Sequence, residues 1–284
     1  MAAEPITIRV AHSPDSDDAF MFYALAQGKI PTDNRVYVHE LSDIESLNQR
    51  ALRGELEVTA VSIHAYAHLA DKYALLSHGA SMGDRYGPKV VALDPRPVDP
   101  RDGLKGRTVA VPGPLTSAYL ALQLYQSDFQ PVFVAFDEIV EAVKRQEVDA
   151  GLIIHESQLT YEREGLNLWV DMGEWWHDET ALPLPLGGNV VRRDLGSDLI
   201  AKISTDLKAS IVYALSNRAA ALDHAMKYAR GLVRSEADEF VGMYVNDFTV
   251  DYGETGRTAV REFLGRAADA GLVPSDVDVT FIDA

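Results

Sequence analysis

Residues 149–157, Asp-Ala-Gly-Leu-Ile-Ile-His-Glu-Ser, constrain the fold more than any other stretch. Ala150 to Ile154 form a short apolar run of the kind buried on both faces of a sheet. The run ends in His155, Glu156 and Ser157, side chains able to move protons. Ahead of it, 137–146 carries Ile139, Val140 and Val143 at helical spacing. The order is helix, tight turn, strand, polar tip. In open α/β sheets ligands collect beyond the carboxyl ends of strands, which is where this order puts His155.

The chain builds a similar unit earlier. Setting Val58 against Val148 pairs Ala60 with Ala150 and Ile63 with Ile153, and leaves Ser62 opposite Leu152. Two such units, each exposing a strand end, predict an α/β fold of two lobes facing across a cleft. At 284 residues the chain exceeds the size at which one core usually stays single.

The remaining punctuation fits two lobes. A strand over 6–11 leads through His12-Ser13-Pro14-Asp15-Ser16-Asp17-Asp18 into a helix over 19–26. That loop suits an anion or carbonyl oxygen at a helix start, or Asp17 or Asp18 simply caps the helix. A strand over 36–41 and a helix opening at Ser42-Asp43-Ile44-Glu45, with Asn48 near its middle, come next. After the strand 58–61, His64 and His68 stand at i, i+4, a spacing zinc sites use, but the Glu of the metalloprotease motif is missing. Strands follow over 73–77 and 89–93. The proline-rich stretch 94–100 is the expected crossing into the second lobe. There, a strand over 108–111, the loop 112–117 and a helix over 118–125 form either an oxyanion-binding turn or an ordinary cap by Thr116 or Ser117. A strand over 132–136 precedes the helix–strand unit already described, and 167–170 and 173–177 read as a short strand and a short helix. Leu182 to Gly188 is the expected return. From Asp194 to about Ala270 the pattern is helical, with breaks at Asn217, Gly231-Leu232 and 251–253, and 276–282 is a candidate edge strand. Lobe 1 is thus 1–94 with 189–284, and lobe 2 is 95–188.

Charge and composition exclude several functions. A formal net charge of −17 disfavours nucleic acid and anionic membrane surfaces as partners. No apolar run approaches the roughly 18 residues that span a bilayer. The absence of cysteine removes disulfides, thiolate metal sites and a cysteine nucleophile. The start has no basic n-region followed by a long apolar stretch, so the expected compartment is the cytoplasm.

Four segments are distinctive: Gly151 to Ser157, Asp171-Met-Gly-Glu-Trp-Trp176, Leu182 to Gly188 with Arg192-Arg-Asp-Leu195, and Tyr244-Val-Asn246. With them, nearly the whole chain resembles the 1,4-dihydroxy-6-naphthoate synthase family of the futalosine route to menaquinone. The resemblance implies a two-lobed, type II periplasmic-binding-protein-like fold with two crossing strands and a helical C-terminal region. It implies a lyase that releases 1,4-dihydroxy-6-naphthoate and dihydroxyacetone from cyclic dehypoxanthine futalosine, an aromatic carboxylate, without metal or redox cofactor. It makes His155 the catalytic base, and Asp18, Asn48, Ser62, Thr116, Ser117, Ile154 and Leu186 the substrate-binding residues. In the first-lobe loop the family usually reads Ser-Pro-Cys-Pro-Asn-Asp-Thr-Phe. Here only Ser13, Pro14, Asp18 and Phe20 are kept, so the resemblance assigns no contact to Asp15, Asp17 or Ala19. A non-catalytic solute-binding protein and the sister enzyme chorismate dehydratase share the fold. The missing signal counts against the first, and the Ile-Ile-His-Glu-Ser and Glu-Trp-Trp segments against the second. A histidine, with an ordinary pKa of about 6.5, suits proton transfer near neutral pH.

Overall fold

The computed structural model describes residues 4–229 and 232–284. The chain first lays down β1 (Ile6–His12), β2 (Arg35–Leu41), β3 (Val58–Ser62), β4 (Tyr73–Leu76) and β5 (Ser81–Gly83). Between them run α1 (Ser16–Met21), α2 (Tyr23–Ala26), α3 (Ile44–Leu52) and α4 (Ile63–Tyr66). A second series follows: β6 (Lys89–Ala92), β7 (Thr108–Val111), β8 (Gln130–Phe133), β9 (Ala150–Ile153) and β10 (Asn167–Asp171). Its helices are α5 (Pro100–Gly103), α6 (Ser117–Tyr125), α7 (Ile139–Lys144), α8 (Ser157–Thr160) and α9 (Met172–Thr180). The long β11 (Leu184–Arg192) then returns. Helices α10 (Ser197–Ser216), α11 (Arg218–Ala225), α12 (Arg234–Tyr244), α13 (Asp247–Val250) and α14 (Gly253–Asp269) precede β12 (Phe281–Ile282).

Two mixed sheets result, one ordered β12-β4-β11-β3-β1-β2 with β5 on β11, the other β10-β6-β9-β7-β8. This is the two-lobed α/β architecture with a helical C-terminal region. β3 and β9 are both internal strands. Every residue of β9 is buried, and Gly151 is there for packing: a Cβ would come 2.6 Å from Ile139 and 2.8 Å from Val143. The missing side chain lets α7 lie directly on the strand.

The crossings differ from expectation. Lys89–Ala92 pairs antiparallel with both β9 and β10, so the switch of sheet falls within 84–88 and not at 94–100. Val90, Val91 and Ala92 are fully buried in the second sheet between β10 and β9, and lobe 1 ends before residue 94. The prolines beyond it build α5 instead, with Pro100 in its first turn and Asp99 capping Arg101 and Asp102. On the return, Leu184 and Pro185 already pair with β5, so the first sheet is regained before residue 189. Smaller shifts have local causes. The helix expected over 19–26 breaks at Phe22, and β8 starts two residues early because Gln130 pairs with Thr108. Pro131 is tolerated in β8 because that strand is an edge.

The tail adds an edge strand paired with β4, though it spans only Phe281–Ile282 of the expected 276–282. Breaks at Asn217 and 251–253 are present, whereas Gly231 lies outside the described residues. The helical region is pinned to the first sheet by Arg35, whose Nε lies 2.6 Å from Asp206 of α10, both side chains buried. It also reaches the second lobe, since Phe263 of α14 meets Trp176 of α9 edge-on at 5.3 Å. One apolar core therefore runs through both lobes.

Candidate active site

The carboxyl ends of β1, β3, β7 and β9 meet at one cavity of about 130 Å³. Its wall includes Ser13, Asp17 and Asp18 after β1, Ser62 at the end of β3, Thr116 and Ser117 after β7, and Ile154 after β9. Leu186, Gly187, Gly188 and Asn189 of β11 complete one side. Lysine, arginine and histidine do not occur among these lining residues.

One flank presents hydrogen-bond donors. Asn48, wholly buried on α3, donates from Nδ2 to Ser62 Oγ at 3.1 Å and accepts from Ser62 N–H at 2.9 Å. Ser117 Oγ accepts from the His64 N–H at 3.1 Å. Each serine hydroxyl thus has a filled lone pair and a proton left to give. Thr116 is spent differently: its hydroxyl donates to Gly113 O at 2.9 Å and accepts from Tyr119 N–H at 3.3 Å, capping α6. The first N–H groups of α6, those of Ser117 and Ala118, lack intrahelical acceptors and carry the positive end of the helix dipole. Serine hydroxyls and a helix start together make an anion site without a cation.

The other flank is acidic. Asp18 Oδ2 accepts from Ser13 N–H at 2.7 Å, Asp15 Oδ2 accepts from Ser13 Oγ at 2.7 Å, and Glu156 Oε1 accepts from Ser16 Oγ at 3.2 Å. Neither Asp17 nor Asp18 caps α1; both lie inside its first turn, and Asp15 holds the cap position. Burial pushes the Asp18 carboxyl up to about 7, opposed by the Ser13 N–H and aided by Asp15. Asp17 is held well above the usual carboxylate range by burial, then by Asp18, Asp15 and Glu156.

His155 stands between Ile154, on the cavity wall, and the buried Glu156. Its ring is half-buried, edge-on to Phe136 at 5.0 Å, with Nδ1 3.2 Å from Ser157 Oγ. It is not itself on the wall of the cavity, and nor is Asn48, which stands behind Ser62. The other six expected residues, Asp18, Ser62, Thr116, Ser117, Ile154 and Leu186, do line it. His64, weighed as a zinc ligand, is buried with Nδ1 3.3 Å from Thr116 O, and burial lowers its pKa to about 4. Sequence reasoning missed Asp17, Asn189, Gly79 and Ser81; for Asp17 the run of carboxylates in 15–18 was the available signal.

Contacts close both flanks of the gap. Glu45, in the first turn of α3, accepts from Leu115 N–H at 3.1 Å, while Asp43 caps α3. Gly113 leaves room for it, since a Cβ there would lie 2.5 Å from Glu45 Oε2. Farther along, Tyr244 of α12 donates to Gln158 Oε1 at 2.9 Å, and Arg163 pairs with Glu236.

A family model described as menaquinone biosynthesis matches residues 8–269. The chain is 42% identical over 266 residues to the 1,4-dihydroxy-6-naphtoate synthase of Thermus thermophilus, covering 93% of this chain and 95% of that one. It is 40% identical over 275 residues to the enzyme of that name from Streptomyces coelicolor, covering 95% of each. Among solved structures, a protein from Archaeoglobus fulgidus superposes with a TM-score of 0.88 at 47% identity, over 94% of this chain and 98% of that one. An alkanesulfonate-binding protein from Xanthomonas axonopodis, bound to MOPS, shares the fold at a TM-score of 0.70 and 16% identity, over the whole of both chains. The chain belongs to the menaquinone-biosynthesis family that includes the 1,4-dihydroxy-6-naphthoate synthases.

Proposed function

We propose that this protein is a lyase that converts cyclic dehypoxanthine futalosine into 1,4-dihydroxy-6-naphthoate and dihydroxyacetone, with His155 as the base. The observation that carries this reading is the pairing, around one cavity, of an anion-binding flank with a flank of proton-transfer groups. Ser62, Ser117 and the start of α6 hold the substrate carboxylate, and Ile154 and Leu186 pack on its ring. His155, one residue past Ile154 and off the cavity wall in this closed form, takes a hydroxyl or acidic C–H proton once substrate widens the gap, as the three-carbon fragment leaves and the ring becomes aromatic. Positioned proton transfer of this kind is worth roughly a hundred- to ten-thousand-fold in rate. The chemistry needs neither a metal nor a redox cofactor, because the bond-breaking electrons stay within the substrate.

A cavity of about 130 Å³ is small beside the roughly 300–1,000 Å³ of most ligand pockets. That contrast supports a closed form whose lobes part to admit substrate and shut to exclude water. The solute-binding relatives of this fold supply a competing reading, capture without turnover, and chorismate dehydration is a third. Purified protein incubated separately with cyclic dehypoxanthine futalosine and with chorismate distinguishes them. Naphthoate absorbance from the first substrate alone is expected. Loss of water from chorismate would point to the sister reaction, and binding without product would overturn the enzymatic reading.

A further inference from the structure

The reaction as proposed leaves one cavity group without a task. Asp17 lines the cavity and keeps part of its surface open to it. Its neighbours are already engaged as acceptors: Asp18 by the Ser13 N–H, Asp15 by the Ser13 hydroxyl, Glu156 by the Ser16 hydroxyl. Asp17 accepts from the backbone N–H of Asp18, and among the described residues no side chain is hydrogen-bonded to it. The titratable groups that face it are Asp15 and Asp18 from its own loop and helix, Glu156 from the turn after β9, and Tyr244 from α12. None of these is a cation, and the cavity wall supplies none. Carboxyls crowded in this way cannot all ionise, and one that keeps its proton has an O–H to give.

We propose that Asp17 donates a hydrogen bond from its carboxyl O–H to a hydroxyl or carbonyl oxygen of the substrate. The ligand is then oriented with its carboxylate at Ser62 and Ser117 and its oxygen-bearing chain against the 13–18 loop. This rests on the lyase reading for the identity of the substrate, but not for the donor role. The arrangement selects a ligand that is an anion at one end and an uncharged, oxygenated group at the other. A second carboxylate against Asp17 is repelled, and a ligand lacking the oxygen leaves a buried O–H unpaired.

The test is the pH profile of kcat/KM, with substrate affinity by calorimetry alongside, for wild type, Asp17→Asn and Asp17→Ala, each checked for an intact thermal melt. An amide keeps a donor that does not titrate. Asp17→Asn is therefore expected to lose no more than roughly tenfold, the order of one neutral hydrogen bond, and to lack the alkaline fall expected of wild type. Asp17→Ala is expected to lose more than Asp17→Asn and not to regain the missing rate at any pH. An Asp17→Asn protein that melts normally but is as inactive as Asp17→Ala would overturn the donor role in favour of proton transfer. Asp17→Ala at wild-type rate, or an alkaline fall that persists in Asp17→Asn, would overturn it as well. If wild type binds the compound without turning it over, the lyase reading fails alone, and the pH dependence of Kd in wild type and Asp17→Asn decides the donor role. If it neither binds nor turns it over, both readings fall.

Discussion

The two flanks of the cavity solve opposite problems. On the α6 side every polar atom is arranged in advance: Asn48 holds Ser62, the His64 N–H holds Ser117, and Thr116 caps the helix. What remains is a set of donors with nothing left to accept, fit for an anion in a protein of net charge −17. On the α1 side the carboxyls of Asp15, Asp17, Asp18 and Glu156 crowd together, with Ser13 and Ser16 among their donors, and burial with mutual repulsion favours the protonated form of Asp17 and Asp18. The first flank is built to receive charge; the second is built to avoid it. On the proposed reading, an acidic protein binds an acid by separating these tasks across a narrow gap.

The largest expected effect removes the proposed base on the acidic side. His155→Ala should lower kcat by roughly a hundred- to ten-thousand-fold with the melting curve unchanged; a rate near wild type would take His155 out of the reaction. Next, Ser117→Ala should raise KM by roughly tenfold to a hundredfold, the worth of a hydrogen bond to a charged group, with kcat much less affected. A kcat loss at constant KM would mean that the donor flank serves the transition state and not the carboxylate.

Stability sharpens the same contrast. Asp18 is raised in the folded state to about 7 from 3.8, so its unfolded form loses the proton first as pH rises. Its contribution is fully present below about 4 and is lost between about 4 and 7. Asp18→Asn should therefore melt above wild type by a margin that widens over that window and is flat beyond it; a constant margin would contradict the assignment. The smallest effect concerns the buried histidines. His12 is lowered to about 3 by burial and then by His39, and His39, His64 and His78 to about 4, burial being the first cause in each. Their contribution is present above their ordinary pKa of 6.5 and falls away as acid is added toward 4. Removing the Asp18 titration should therefore steepen the acid limb of the melting profile.

The second unit was legible in the sequence because its signals were local. Ala150 to Ile154 read as a buried strand, and Ile139 and Val143 marked the helix that covers it. Ser62, Thr116, Ser117, Ile154, Asp18 and Leu186 were legible as cavity residues mainly through family resemblance, since the letters alone allowed ordinary caps. The first crossing was not legible: Lys-Val-Val-Ala at 89–92 suits the centre of either sheet, and only its pairing with β9 and β10 settles the matter. Asn48 as the support of Ser62, and Glu45 as the contact to Leu115, depend on side chains meeting across folds of the chain 14 and 70 residues apart. Asp17 was masked by the usual reading of an acidic residue at a helix start, a cap or a dipole partner.

On the proposed function the α6 flank receives the acid and the α1 flank does not. A crystal structure of this protein with 1,4-dihydroxy-6-naphthoate tests it most directly. The claim predicts the ligand carboxylate within hydrogen-bonding distance of the Ser62 and Ser117 hydroxyls and the first N–H groups of α6, with His155 beside the ring. A carboxylate lying against Asp17 and Asp18, or a ligand bound outside the gap, would contradict it.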